Sequence, residues 1–244
     1  MDARETRIRA IELKFLVDDA VGARLRDWAR QALEPDPHGH GVHGDEYATT
    51  SLYFDTPDRA VFHRRRSHGR VKFRVRRYGE GDAVFLERKL RTESVLTKRR
   101  TRVSTADLAR LCGPGRGAWA GSWFEDRVAA RALGPVCQVS YHRTARYLIT
   151  PGGDVARVTL DADVRALPVA DLGFAARPGV PVLPGQMVLE VKMRTHLPAA
   201  LKRLVEAFGL VPRQLSKYRL GLAAAGAGDV VGRSDALVEA GLHG

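Results

Sequence analysis

The 244-residue sequence predicts an α+β fold, an antiparallel β-barrel wrapped by helices, and three observations predict it. Short segments alternate strictly, as in Val71-Lys72-Phe73-Arg74-Val75-Arg76 and Phe85-Leu86-Glu87-Arg88-Lys89-Leu90. Successive side chains on a strand point to opposite faces, so Lys72, Arg74 and Arg76 share one side while Phe73 and Val75 take the other. Cationic charge is concentrated in the same region: residues 64–102 hold fifteen Lys/Arg against four Asp/Glu, a net of +11, while the whole chain carries +12. The helical segments are amphipathic and must bury an apolar face. If they pack on the outside of the sheet, its charged face turns inward and lines a water-filled barrel.

Taken in order, Ile11 to Val17 reads as a strand with Ile11, Leu13, Phe15 and Val17 on one face and Glu12 and Lys14 on the other. Asp18 or Asp19 caps a helix running to about Leu33, with Leu25, Trp28 and Leu33 toward the core. Pro35 to Glu46 is a Pro/Gly/His loop; its His38, His40 and His43 lack a second ligand cluster at structural-metal spacing, so the loop is read as solvated or at a substrate edge. Tyr47 to Phe54 is a strand, closed by a turn at Asp55-Thr56-Pro57-Asp58. The basic strands follow, the last running from Lys98 to Val103. Ser104 or Thr105 then caps a short helix to about Leu111. Gly113 to Gly117 lacks the Lys-Ser/Thr of a phosphate-binding loop and is a flexible connector.

Trp123 to Leu133 reads as helix, Gln138 to Ile149 and Val155 to Val164 as strands, and residues 166–185 as a long exposed connection. On the two strands, Tyr141, Arg143 and Ala145 share a face, as do Arg157, Thr159 and Asp161. Met187 to Met193 is the last strand, with Glu190 and Lys192 opposite Leu189, Val191 and Met193. Leu197 to Phe208 is an amphipathic helix. Pro212 opens a final helix through Lys217, Tyr218 and Leu222, and the tail after Gly226 frays. No internal repeat or linker divides the chain, so residues 1–244 are expected to form a single domain.

No apolar run is long enough for a transmembrane helix, and the charged N-terminus lacks the apolar core of a secretory signal. Cys112 and Cys137 read as reduced thiols of a cytoplasmic protein.

Three strands repeat one pattern: Glu12-x-Lys14, Glu87-x-Lys89 and Glu190-x-Lys192 each place both charges on the face opposite the apolar residues, with Arg88 the exception. Arg74, Arg76, Lys98, Arg100, Arg143 and Arg157 add cations to comparable faces. Any one of these strands alone is an ordinary amphipathic strand with a solvated face. Together they are not, because like charges opposite one another across strands destabilise a sheet unless a polyanion neutralises them. The glutamates refine the ligand: carboxylates in a basic channel hold a hard divalent cation that bridges phosphate oxygens, so the expected ligand is phosphate with Mg²⁺ or Mn²⁺. Tyr78 lies on the Arg74/Arg76 face and could stack a base, but Phe73 does not, and Glu12, Glu87 and Glu190 repel a nucleic-acid backbone in the absence of metal. Nucleic acid is therefore an unlikely partner. Membrane association has no support, since the basic residues sit on strands rather than on an amphipathic helix.

An ordered set of motifs resembles the VTC-type polyphosphate polymerase domain, of the triphosphate tunnel metalloenzyme (CYTH-like) superfamily. They are Glu12-x-Lys14-Phe15, Ser51-Leu52-Tyr53-Phe54-Asp55-Thr56-Pro57, Lys72-Phe73-Arg74-Val75-Arg76-Arg77-Tyr78-Gly79 and Phe85-Leu86-Glu87-Arg88-Lys89. Lys98-Arg99-Arg100, Tyr141-His142-Arg143, Arg157-Val158-Thr159-Leu160-Asp161, Leu189-Glu190-Val191-Lys192 and Ser216-Lys217-Tyr218 complete the set, which spans residues 8 to 222. The resemblance implies a β-barrel tunnel wrapped by helices. In it Lys14, Arg74, Arg76, Lys89, Arg143 and Arg157 would cradle a triphosphate or growing chain. Glu190 would be the principal metal ligand, with Glu12 and Glu87 as further carboxylates, and Lys98, Arg100, Lys192 and Lys217 would complete the wall. It also implies polyphosphate polymerase activity on ATP, with a tunnel triphosphatase as the nearest alternative and a polyphosphate- or nucleic-acid-binding module as the non-catalytic one. Phosphatases and cyclases of the superfamily open with Glu-x-Glu-x-Lys; here Ala10 stands at the earlier position, which favours the VTC branch. Eukaryotic members carry an inositol-phosphate-sensing domain and membrane helices, neither of which this sequence shows.

Overall fold

The computed structural model describes residues 6–8, 11–91, 96–112, 117–150 and 152–226. The strands among them are β1 Thr6–Ile8, β2 Ile11–Asp18, β3 Glu34–Pro35, β4 Glu46–Asp55, β5 Val71–Tyr78, β6 Ala83–Arg91, β7 Leu96–Ser104, β8 Gly134–Ile149, β9 Val155–Pro168, β10 Val180–Pro181 and β11 Gln186–Met193. The helices are α1 Asp19–Ala32, α2 Ser122–Ala129, α3 Ala199–Ala207 and α4 Lys217–Ala224. Short 3-10 turns occupy Arg66–Arg70 and Ala106–Cys112. Among the described residues, no helix is long and apolar enough to cross a membrane.

The strands form one sheet in the order β1-β7-β6-β5-β4-β8-β9-β11-β2, with β10 against β9 and β3 against β8. Every described pairing is antiparallel. The two ends of this order, β1 and β2, follow one another in the chain, so the sheet curls back on itself. Side chains join across the curl: Lys89 Nζ on β6 lies 2.9 Å from Glu12 Oε2 on β2. The segment before α4 adds a further tie, the Arg213 N–H donating to the Lys14 carbonyl at 2.7 Å.

Apolar side chains lie on the outside of the curl. Phe15 and Val17 of β2, Val158 and Leu160 of β9, and Leu189, Val191 and Met193 of β11 bury against Leu25 and Ala29 of α1 and Leu201 and Leu204 of α3. Asp18 caps α1 by accepting from the Val21 N–H at 2.7 Å. Gly22 lets that helix press onto β11, since a Cβ there would stand 2.5 Å from Met187 Sδ. A second cluster unites Phe54, Phe73, Val75, Val84 and Leu86 with Phe124 and Val128 of α2.

The final helix departs from the expected plan. It begins at Lys217 rather than Pro212, and Ser216 caps it by accepting from the Arg219 N–H. Nor does it lie outside the sheet. The Tyr218 ring stacks on Tyr53, centroids 5.2 Å apart. A Cβ at Gly221 would approach Val139 Cγ2 to 2.9 Å and Ala166 Cβ to 3.0 Å. Tyr53 accepts a hydrogen bond from Arg74, and Val139 sits opposite Ser51, which accepts one from Arg76. Both therefore belong to the charge-bearing inner face, and α4 packs against it. Glycine at position 221 is what permits this close approach.

Smaller differences follow from local geometry. The helix expected from Trp123 to Leu133 covers only Ser122–Ala129. The 166–185 stretch is not wholly exposed: β9 continues to Pro168, β10 pairs with it, and Leu172, Phe174, Val182 and Leu183 pack on the core. Pro35, expected in a loop, pairs with β8. His38, His40 and His43 are exposed, and no group of three His, Cys, Asp or Glu among the described residues is placed to hold a metal. Cys137 is a buried free thiol, pushed up to about 12 by burial. Residues 113–116 of the connector, Ala10, the Cys112 side chain and the tail after Gly226 lie outside the described set.

Candidate active site in the bore

Strand register alone assembles the bore. On one wall Glu190 of β11 stands between Lys14 of β2 and Thr159 of β9, and Lys192 between Glu12 and Arg157. On the facing wall Arg74, Glu87 and Arg100 form a row across β5, β6 and β7, beside a parallel row of Lys72, Lys89 and Lys98. Arg143 of β8 stands opposite Asp161 of β9. Because directly opposite residues share a face, these side chains all project into one space.

Four carboxylates gather these cations. Glu190 has Lys217 at 2.8 Å, Lys192 at 3.6 Å and Lys14 and Arg143 at 3.7 Å. Glu87 is held by Arg74 at 2.6 Å, with Arg100 at 3.2 Å and Lys98 at 3.4 Å. Glu12 links the walls, with Lys89 at 2.9 Å, Lys14 at 3.5 Å and Lys192 at 3.7 Å. Asp161 takes a two-pronged contact from Arg143, at 2.6 and 2.7 Å, and Lys217 at 2.6 Å. The bidentate fork is the strong form of this pairing. Arg157 stands somewhat apart, donating to Asp36 at 2.7 Å and to the Tyr47 hydroxyl at 2.6 Å.

These surroundings set the charges. Burial would raise Glu12, but Lys192, Lys14 and Lys89 outweigh it and hold the carboxyl at about 2. Burial is likewise overridden at Glu190 by Lys217, Lys14 and Lys192, and at Glu87 by Arg74 and Arg76, so both stay well below the usual carboxylate range. Lys217 is raised because Asp161 and Glu190 prevail over burial. Lys72 goes the other way: burial, then Lys14 and Lys89, bring it down to about 7. Lys192 also falls, to about 8, although it neighbours Glu190 and Glu12; its contacts with them are long, and burial wins.

The bore holds polar capacity that the protein does not use. Thr159 Oγ1, beside Glu190, is buried without a hydrogen-bond partner, and so are Glu87 Oε1 and the Nε atoms of Arg100 and Arg157. Glu87 Oε1 has cations nearby, yet none with hydrogen-bonding geometry. Buried polar atoms of this kind call for a ligand or water. A hard divalent cation fits the donor set, because Mg²⁺ is held by one or two carboxylates plus substrate phosphates rather than by a protein cage. Glu190 suits that role best: among the described residues, its Oε2 is approached by Lys192 and Arg143 at the long distances of 3.6 and 3.7 Å.

The structure brings Lys14, Arg74, Arg76, Lys89, Lys98, Arg100, Arg143, Lys192, Lys217, Glu12, Glu87 and Glu190 to this one face, with Arg157 at its margin. Three residues stand out that sequence reasoning did not assign to the site. Asp161 organises Arg143 and Lys217; its place beside Arg157 was visible in the strand alternation, but its partners were not. Lys72 donates to Ser216 Oγ at 2.9 Å, at the start of α4. Tyr53 links Arg74 to α4 through its hydroxyl and its ring.

The profile of the VTC domain matches residues 9–225. No match is found among curated protein sequences. Among solved structures, a candidate adenylate cyclase from Bacillus halodurans shares 16% identity at a TM-score of 0.51, covering 87% of this chain and 97% of that one. The PH1819 protein from Pyrococcus horikoshii shares 15% identity at a TM-score of 0.45, covering 86% and 97%. A candidate adenylyl cyclase from Hippeastrum, with a dominant triphosphatase activity, shares 14% identity at a TM-score of 0.44, covering 92% and 99%.

Proposed function

This chain belongs to the VTC domain family, and from that premise we propose that it is a metal-dependent polyphosphate polymerase, moving the γ-phosphate of ATP onto a growing polyphosphate chain inside the bore. The observation that carries the reading is the convergence of Arg74, Arg76, Lys89, Arg143 and Lys217 around carboxylates in a curled sheet, with buried polar atoms still unsatisfied. Phosphoryl transfer asks for in-line positioning and for cations about the transferring group, and little covalent chemistry. In the proposed step a terminal phosphate oxygen of the chain attacks the γ-phosphorus of ATP. The bond from the γ-phosphorus to the β–γ bridging oxygen breaks, its electron pair stays on that oxygen as ADP leaves, and no proton need change hands. Arg74, Arg76 and Lys89 hold the γ-phosphate, while Arg143, Arg157, Lys14, Lys98, Arg100, Lys192 and Lys217 hold its neighbours and the acceptor. Glu190, with Glu12 and Glu87 as further candidate ligands, would bind Mn²⁺ or Mg²⁺, which supplies charge neutralisation on the phosphate oxygens. The reading places the reaction in the cytoplasm.

One observation favours a second reading. The Lys89, Lys98 and Lys192 side chains are 43%, 39% and 38% exposed, so water reaches that part of the bore and could replace the chain as nucleophile, making a tunnel triphosphatase. Product analysis separates the two. The protein incubated with ATP and Mn²⁺ is expected to give a ladder of polymer on a gel, and orthophosphate without polymer would favour the hydrolase. Arg74→Ala should cut turnover by a factor on the order of a hundred or more, the cost of losing one transition-state donor, and Glu190→Ala should cut it by removing the principal metal ligand. Retained metal-dependent turnover in either variant would overturn the assignment. Metal-independent binding of single-stranded nucleic acid without turnover, steeply salt-dependent, would point to a binding module.

A further inference from the structure

The bore is chemically different along its length. At one level lie the three lysines Lys72, Lys89 and Lys98, side by side on β5, β6 and β7. Further along β5, on the same face, stands Tyr78, within an aromatic group. Its ring meets Tyr47 edge-on at 5.6 Å and Phe85 edge-on at 5.6 Å. The Arg100 guanidinium lies 3.6 Å over the Phe85 ring and 5.4 Å from that of Tyr78. Tyr47, Tyr78 and Phe85 are only half-buried and belong to neither apolar core cluster, so the apolar core does not account for their rings. A phosphate chain has no use for aromatic rings; a flat base does, since bases stack on aromatic faces and on arginine planes.

We propose that this aromatic mouth receives the nucleobase of the incoming nucleoside triphosphate, so that the nucleotide enters beside Tyr78 and Phe85 and the phosphate chain extends past the lysine row. The spacing agrees. Tyr78 is four residues from Arg74 on one strand face, about 13 Å at 3.3 Å per residue, which leaves room for the phosphates and ribose between a γ-phosphate and its base. Arg76, between the two, lies 5.9 Å from the Tyr78 ring, so the γ-phosphate seat it shares with Arg74 and Lys89 adjoins the aromatic group.

The proposal rests on the triphosphate reading of the bore, and calorimetric titration with Mn²⁺ present separates the two. ATP and inorganic tripolyphosphate are titrated into the wild type, Tyr78→Leu and Phe85→Leu, substitutions that keep apolar bulk and lose the π face. In each variant ATP affinity is expected to fall about tenfold, the loss of one base stack, while tripolyphosphate affinity stays within about twofold. Tyr78→Phe should keep ATP affinity. Equal losses for both ligands, or no loss for ATP, would overturn the nucleobase assignment and leave the triphosphate site standing. A wild-type protein that binds no tripolyphosphate would remove the triphosphate reading itself, and the base site with it.

Discussion

Lys72 shows what the bore asks of a single residue. Burial and the nearby charges of Lys14, Lys89, Arg219 and Arg64 bring its ammonium down to about 7, while it donates a hydrogen bond to the Ser216 hydroxyl. Tyr78 also falls, to about 8, because Arg76, Arg100 and Arg74 outweigh burial. Both groups give up a proton more readily in the folded protein than in the unfolded chain. Between about pH 7 and 9 the unfolded chain therefore binds more protons, and stability rises with pH. Above that, Cys137, raised by burial, works in the opposite direction. The depressed carboxylates Glu12, Glu87, Glu190 and Asp161 contribute stability that is present above about pH 4.3 and lost as the pH falls below it. Thermal melts of the ligand-free protein are expected to shift upward from pH 7 to pH 9, and tripolyphosphate, which favours charged Lys72, should raise the melting temperature more at pH 7 than at pH 9. A flat or falling melting temperature across that range would contradict this picture. The sequence shows which face each of these residues takes, since strand alternation decides it. It does not show who neighbours whom across the bore, because that depends on curl and register between strands far apart in the chain.

Among the elements, α4 ties the outside of the protein to its site. Asp55 at the end of β4 accepts from the N–H groups of Thr56, Val61 and Phe62, and from the Tyr218 hydroxyl. Tyr218 thereby fixes the first turn of α4, where Lys217 meets Asp161 and Glu190. Tyr218→Phe keeps the stack on Tyr53 and removes one buried hydrogen bond, so urea unfolding should show a loss of about 1–2 kcal/mol. An unchanged midpoint would mean that Asp55 holds the helix without it. The strands with period-two alternation were legible in the sequence, though β8 starts four residues before the expected Gln138 and β9 ends four after the expected Val164, and so were α1 and α3, whose apolar faces recur at helical spacing. The start of α4 was not, because Pro212 imitates a helix opening while Ser216 makes the working cap. Its position against the inner face was not legible either, since an apolar helix face looks the same whichever side of a sheet covers it. The two-residue strands β3 and β10 are too short to leave a pattern.

For the molecule as a whole, the local excess of positive charge and the outward demand of the amphipathic helices were enough to predict a curled sheet with its charges inside. The observed fold follows: apolar clusters sit between sheet and helices, and β1 and β2 bring the sheet's two ends together. What the sequence left open was the degree of convergence, and the Lys89–Glu12 contact across the bore now supplies it. The central claim is that these converging charges form a seat for a row of phosphates. A crystal structure of the protein with tripolyphosphate and Mn²⁺ tests it most directly. The account predicts phosphate density within hydrogen-bonding reach of Arg74, Arg76, Lys89 and Arg143, with the metal on Glu190; an anion bound only on the outer surface, with the bore holding water alone, would contradict it.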